Sequence, residues 1–183
     1  GFTPKDREQL GKQYVDVGIA EEQAVAMASG VAKVGGRPVV ITNSSFMQRT
    51  YDQMNQDVCI NSTPAIFLVN CCSFASLTDV THLGIFALPI FGNIPNLVVL
   101  APASKEELIQ ALDFAIKQNE KPIFIMMPSG KVVSKETTLP LTLKPKYEIS
   151  KIAHKDFKIA LNFSPIFEII HQYWRNFFEN IPE

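Results

Sequence analysis

Cysteine is scarce in this chain of 183 residues: Cys59, Cys71 and Cys72 are the only three. The number is odd and two are adjacent, which disfavours a secreted disulfide framework, and the spacing is not that of a metal site. A reducing, cytoplasmic setting is the expectation. Charge is also sparse. Charged residues make up 19% and the net charge is −1, which argues against a nucleic-acid partner. The densest basic stretch, Lys144, Lys146, Lys151, Lys155 and Lys158, lies in a proline-containing connector with few aromatics and reads as a solvated face. The opening residues, Gly1-Phe2-Thr3-Pro4-Lys5-Asp6, carry no signal-peptide pattern. Residues 84–103 are mostly apolar and about long enough to span a bilayer. Pro89, Asn93, Pro95 and Asn96 interrupt them, so a short helix, a turn and a buried strand are expected, with no membrane partner. Internal repeats and low-complexity tracts are absent.

Apolar residues are plentiful, at 46%, enough to bury a real core. The length suits one domain plus an appendage. Four short β-rich runs, at residues 38–42, 65–69, 97–100 and 122–126, are continuously apolar rather than alternating. Parallel strands covered on both faces read this way. Helical stretches lie between them. Residues 20–33 end at Gly35-Gly36, a helix stop rather than a phosphate loop, because a strand follows. Residues 104–118 open with Ser104 and Glu107 in capping-box spacing, with Leu108, Leu112 and Ala115 as a buried stripe. Residues 45–57 read as a third, more polar helix. The βαβ succession implies an α/β fold, a parallel sheet with helices on both faces. Residues 129–155 read as a connector containing Pro140 and Pro145. Residues 157–161 read as one more strand and 165–179 as a helix carrying Ile166, Ile170, Tyr173 and Phe177 on one face. A strand and a helix are too little for a core of their own, so a second domain is expected to begin there.

Chemistry concentrates first at Asp16-Val17-Gly18-Ile19-Ala20-Glu21, a short strand run that breaks at glycine and delivers a carboxylate to a helix start. Val15, Val17, Ile19, Ala24, Met27 and Val31 surround Glu21 in sequence. A carboxylate in such company is poorly solvated and its neutral form is favoured, which suits sharing a proton with a ring nitrogen. The plainer reading is an acidic residue in a first helical turn, where the dipole favours it. Just after a strand comes Ser45-Phe46-Met47-Gln48-Arg49-Thr50-Tyr51-Asp52-Gln53. Ligands of parallel sheets gather at the carboxyl ends of strands, and Phe46 there can stack on a flat heterocycle. It can equally be core, with Arg49 an ordinary ion pair. Thr81-His82-Leu83-Gly84-Ile85-Phe86 adds a histidine, by itself as easily structural as catalytic. Residues 94–102, beginning Ile94-Pro95-Asn96, lead into a buried strand and read as scaffold.

In this order the four segments resemble the pyrimidine-binding domain of the transketolase superfamily of thiamine diphosphate enzymes. Within it they resemble most the 1-deoxy-D-xylulose 5-phosphate synthases, whose pattern runs D-V-G-I-A-E, F-L-Q-R-x-Y-D-Q, T-H-x-G-x-F-D and I-P-N-x-x-V-x-A-P. The resemblance covers roughly residues 1–128. The tail from Phe157 resembles the start of that family's C-terminal domain, over residues 156–183. The resemblance implies an enzyme that forms a carbanion from a 2-oxo acid or ketose on thiamine diphosphate and adds it to an aldehyde. It implies catalytic roles for Glu21 and His82, and cofactor binding by Glu21, Phe46 and Arg49. Glu21 would hydrogen-bond the aminopyrimidine ring nitrogen and favour its imino tautomer. Phe46 would pack on the pyrimidine ring, Arg49 would help hold the site, and His82 would face the substrate. It also implies a homo-oligomer acting on small-molecule substrates.

The departures are specific. Gln23 stands where the family has a histidine. Cys71 and the Ser129 of Pro128-Ser129-Gly130 stand where the synthases have arginines that hold an acceptor phosphate. Thr78 and Asp79 replace or displace an acidic residue before the T-H pair. The G-D-G motif that, with a later asparagine, holds the diphosphate and Mg²⁺ is absent, so those groups are expected on a separate diphosphate-binding domain or subunit, with no metal ligands in this chain. The domain's first strand is also expected upstream of Gly1. Two rival readings are a beta-type subunit of a 2-oxo acid dehydrogenase and a non-catalytic remnant that scaffolds a partner.

Overall fold

A computed structural model of the chain describes residues 2–72, 81–127 and 133–134. Four strands form one parallel sheet: β1 (Val39–Asn43), β2 (Ile66–Asn70), β3 (Val98–Leu100) and β4 (Ile123–Met126), in the order β1-β2-β4-β3. Each begins one residue later than its apolar run. The register pairs Val39 with Ile66 and Asn43 with Asn70 across β1 and β2, and Phe67 with Phe124 across β2 and β4.

Alternate strand residues face opposite sides. Phe67, Val69, Val99, Phe124 and Met126 enter one core, together with Val25, Ala28, Met47, Met54, Val58 and Phe91. Ile66, Ile123 and Ile125 enter a second, closed by Ala111 and Ala115 with Leu108, Leu112 and Phe114 against it. This is why the inner strands β2 and β4 are continuously apolar: both of their faces are covered, as the sequence implies. Phe91 stacks on Phe124 at 4.9 Å between ring centroids in the larger core. β1 is an edge strand, and Val39 and Ile41 on its second face are exposed.

Helix α1 (Pro4–Leu10) precedes α2 (Glu21–Lys33). The buried line of α2 is Val25, Ala28, Ser29 and Ala32, whereas Val31 is exposed. The helix therefore presents a face rotated from the Ala24, Met27 and Val31 row. Its end is as expected: Gly35, at φ 89°, and Gly36 donate back to Ala32 and Val31 carbonyls at 3.0 and 2.9 Å. A Cβ on Gly36 would lie 2.9 Å from the Val31 carbonyl oxygen.

The helix expected over residues 45–57 is broken into four pieces. These are α3 (Ser44–Met47), a 3₁₀ turn (Gln48–Thr50), α4 (Tyr51–Gln53) and a π-helical turn (Met54–Cys59). Thr50, fully buried, turns its hydroxyl back to the Met47 carbonyl at 2.8 Å, a local bond that competes with regular helix. A 3₁₀ turn (Gly84–Phe86) leads into α5 (Ala87–Phe91). Helix α6 (Lys105–Lys117) covers the second face. Ser104 caps it by accepting from the Glu107 amide at 3.2 Å. The Glu107 carboxylate accepts from Ala103, one residue before the cap, at 2.7 Å. At its other end Arg37 donates to the carbonyls of Ala115 and Ile116 at 2.8 and 2.7 Å, and to that of Gln118.

The short strand run expected within residues 16–21 does not form. Asp16 accepts from the Gly18 amide at 3.0 Å, Gly18 takes φ 64°, and Val15 and Ile19 are exposed. That turn diverts the backbone from any ladder. Among the described residues no helix is long and apolar enough to cross a membrane. The strand and helix expected over 157–161 and 165–179, and the connector apart from Val133 and Ser134, lie outside the described residues.

Candidate active site

The turn at Asp16 and Gly18 hands the chain to α2 with Glu21 as its first residue, beyond the cap Ala20, whose side chain has nothing to offer the free amides. A carboxylate suits this position, where the helix dipole is positive. The Glu21 side chain is only 12% exposed. Its Oε2 accepts from Arg49 at 3.2 Å, and Arg49 itself is 46% exposed. The wholly apolar surroundings expected for Glu21 are thus corrected: its nearest polar partner is a guanidinium. Val15 and Ile19, adjacent in sequence, point to solvent.

Arg49 lies in the 3₁₀ turn after α3, and Phe46 lies in α3. Both follow the carboxyl end of β1, where parallel sheets place ligand-binding groups. The Phe46 ring meets His82 edge to face, with centroids 5.3 Å apart and planes at 87°. Thr81 Oγ1 and His82 Nδ1 are 2.7 Å apart. The four candidates therefore form two contacting pairs, Glu21–Arg49 and Phe46–His82, each with one member on the stretch from α3 into the following turn.

Beneath them is a junction the sequence reading missed. Ser44, fully buried, donates to the Cys71 carbonyl at 2.8 Å. A Cβ on Gly84 would lie 1.6 Å from the same carbonyl oxygen and 2.9 Å from Ser44 Oγ. Only glycine fits there, which gives the glycine of the Thr81-His82-Leu83-Gly84 turn its physical reason. A second missed tie runs from the Tyr51 hydroxyl to Asn93 Oδ1 at 3.1 Å, joining α4 to the end of α5. Neither partner's spacing in sequence announces it.

Gln23 and Cys71 are exposed, and Cys71 takes φ 58°. Ser129, Thr78 and Asp79 lie outside the described residues. Burial pushes the thiols of Cys59, up to about 12, and Cys72 well above their ordinary range. A carboxylate, an aromatic ring and an imidazole, with one cation holding the carboxylate, form a donor set that fits a flat, nitrogen-containing ring. Among the described residues no group of three or more His, Cys, Asp or Glu side chains is placed to hold a metal ion.

The chain is similar to several known proteins. The chain is 40% identical over 126 residues to a 1-deoxy-D-xylulose-5-phosphate synthase of Gloeothece citriformis, covering 69% of this chain and 20% of that protein. It is 41% identical over 131 residues to the synthase of Natranaerobius thermophilus, covering 72% and 20%. With the Haemophilus influenzae synthase, 36% identity extends over 176 residues, 91% of this chain and 28% of that protein. The chain thus spans 20–28% of the length of these relatives. A solved structure described as a split gene transketolase, inactive beta4 tetramer, superposes with a TM-score of 0.57 at 18% identity, covering 69% of this chain and 42% of that one. At that identity the likeness shows the fold. A family model described as transketolase, pyrimidine binding domain, matches residues 3–134, and with most of the chain so matched it belongs to the transketolase pyrimidine-binding domain family.

Proposed function

We propose that this chain is the pyrimidine-binding part of a thiamine diphosphate-dependent transferase of the 1-deoxy-D-xylulose 5-phosphate synthase/transketolase type. It takes a 2-oxo acid or ketose as donor and an aldehyde as acceptor, and works in the cytoplasm as a homo-oligomer. The observation that carries the reading is Glu21 at the head of α2, largely buried and paired with Arg49, with Phe46, three residues before Arg49, in contact with His82. The identity to synthases favours this branch over a 2-oxo acid dehydrogenase subunit.

When bound, thiamine diphosphate supplies the electron sink that allows a bond beside a carbonyl carbon to be broken and remade. The chain's own part is position and proton control. Glu21 would accept a hydrogen bond from the pyrimidine ring, held in place by Arg49. Phe46 would lend its ring to the heterocycle. His82, fixed against Phe46 and Thr81, would meet the substrate and hold or donate a proton there.

The diphosphate and Mg²⁺ fall to a diphosphate-binding domain or subunit, because neither a G-D-G motif nor a cluster of metal ligands among the described residues is available here. Residues 1–128 then form the pyrimidine-binding domain, 129–155 a connector and 156–183 the start of a C-terminal domain. Calorimetric titration of thiamine diphosphate with Mg²⁺ into this chain alone tests the division. Little or no heat of binding is expected. Micromolar binding by the isolated chain overturns it.

A further inference from the structure

The carbonyl of Cys71 is contacted from two sides. It lies one residue past the last pair of the β1–β2 ladder, Asn43 with Asn70. Ladder bonding therefore ends before it, and an unpaired acceptor there is unfavourable when buried. Cys71 takes φ 58°, a left-handed conformation that costs a non-glycine residue on the order of 1 kcal/mol or more. Such strain persists where the surroundings over-determine it, and here they do. Ser44, at 0% exposure, donates its hydroxyl to that carbonyl at 2.8 Å. Gly84 packs so closely on the same oxygen that a methyl group cannot be added.

Three segments are thereby tied at one oxygen: the exit of β1, the exit of β2 and the turn after His82. Phe46 lies two residues after Ser44, and His82 two residues before Gly84. The edge-to-face contact of Phe46 and His82 thus joins two arms of this knot.

We propose that Ser44 is a positioning residue of the site: its bond to the Cys71 carbonyl, locked by Gly84, holds Phe46 and His82 at their mutual distance and angle. A serine hydroxyl suits the task because it is short, has few rotamers and satisfies the carbonyl without solvent. An alanine would remove that donor from a part-buried oxygen on which Gly84 is already packed. The proposal rests on the reading of Phe46 and His82 as site residues.

The test is made on this chain without cofactor, so that failure of thiamine diphosphate binding leaves its outcome unaffected. The imidazole carbon-bound protons of His82 are followed by ¹H–¹³C correlation NMR, assigned through His82→Gln. Phe46→Leu removes the ring current and marks the uncoupled position. Ser44→Ala is expected to move the His82 signals most of the way to that position, with circular dichroism unchanged. A folded Ser44→Ala chain with His82 signals unmoved overturns the proposal. If Ser44→Ala does not fold, Ser44→Cys, close in volume but a weaker donor, is read the same way, with a smaller shift expected. In the unsubstituted chain, a Phe46–His82 ring contact that is absent or averaged out overturns the proposal without any variant.

Discussion

Arg49 reaches Glu21 at 3.2 Å and joins the head of one helix to the turn that follows another, although 28 residues separate them in sequence. The carboxylate is the buried member and the guanidinium the wetter one. Arg49 can therefore relax towards solvent, while Glu21 has little room to do so. The asymmetry leaves the guanidinium the freer of the two side chains.

Replacing Glu21 by Gln should keep the fold, since the amide fills the same space. In the complete enzyme it should greatly slow exchange of the cofactor's thiazolium proton, because a neutral amide cannot bias the pyrimidine tautomer. Exchange followed by NMR in deuterated water measures this. Glu22→Gln is the control and should be near wild type. The reverse pattern would mean that the neighbouring carboxylate is the working one.

The acceptor is a separate matter. Cys71 is exposed at the carboxyl end of β2, where the synthase motif presents an arginine. A phosphate dianion without a guanidinium partner binds poorly in a partly dry site. The complete enzyme should prefer glyceraldehyde to its 3-phosphate, as a ratio of kcat/KM. A strong preference for the phosphorylated aldehyde would show that other basic groups take over.

Arg37 closes the carboxyl end of α6 through carbonyls of Ala115, Ile116 and Gln118. A cation there also faces the negative end of the helix dipole. Arg37→Ala should lower stability by about 1–2 kcal/mol, read as a lower urea midpoint with an unchanged slope. Arg37→Lys should recover much of the loss, because all three bonds leave one nitrogen, Nη2, and an ammonium also offers its donors from one nitrogen. No change in midpoint would mean that water replaces the guanidinium at no loss.

The buried thiols set an alkaline limit. Cys59 is pushed by burial from an ordinary value near 9 to about 12, and Cys72 is raised as well, by burial first and by Cys71 second. In the unfolded chain both would ionise near 9, so the folded state holds more protons between there and about 12. Their contribution to stability is present below pH 9 and is lost as pH rises towards 12. Urea midpoints should fall over that window, and by less in a Cys59→Ser, Cys72→Ser chain than in wild type. At pH 8, alkylation should label Cys71 first, since it alone is exposed. Equal labelling of all three thiols in the native chain would contradict this.

Much of this protein was legible in the amino-acid order. The four apolar runs became the four parallel strands because each lacks alternation, which burial on both faces explains for β2 and β4, whereas the edge strand β1 leaves Val39 and Ile41 exposed. Gly35-Gly36 stopped α2 and Ser104 capped α6 because these are local events, settled by a few neighbouring atoms. The motifs carrying Glu21, Phe46, Arg49 and His82 were likewise visible as words. Their pairing was not. Which face α2 buries, which cation meets Glu21 and which ring meets His82 depend on contacts between segments far apart in the chain. No local spacing encodes those distances. The Asp16–Gly18 turn displaced an expected strand, because a side-chain bond to the backbone and a positive φ outweighed β propensity in residues with no paired neighbour. The need for glycine at position 84 arises only when the carbonyl of Cys71 is brought against it. Local patterns determined the elements, and the packing of β1, β2 and the His82 turn around one oxygen decided the site.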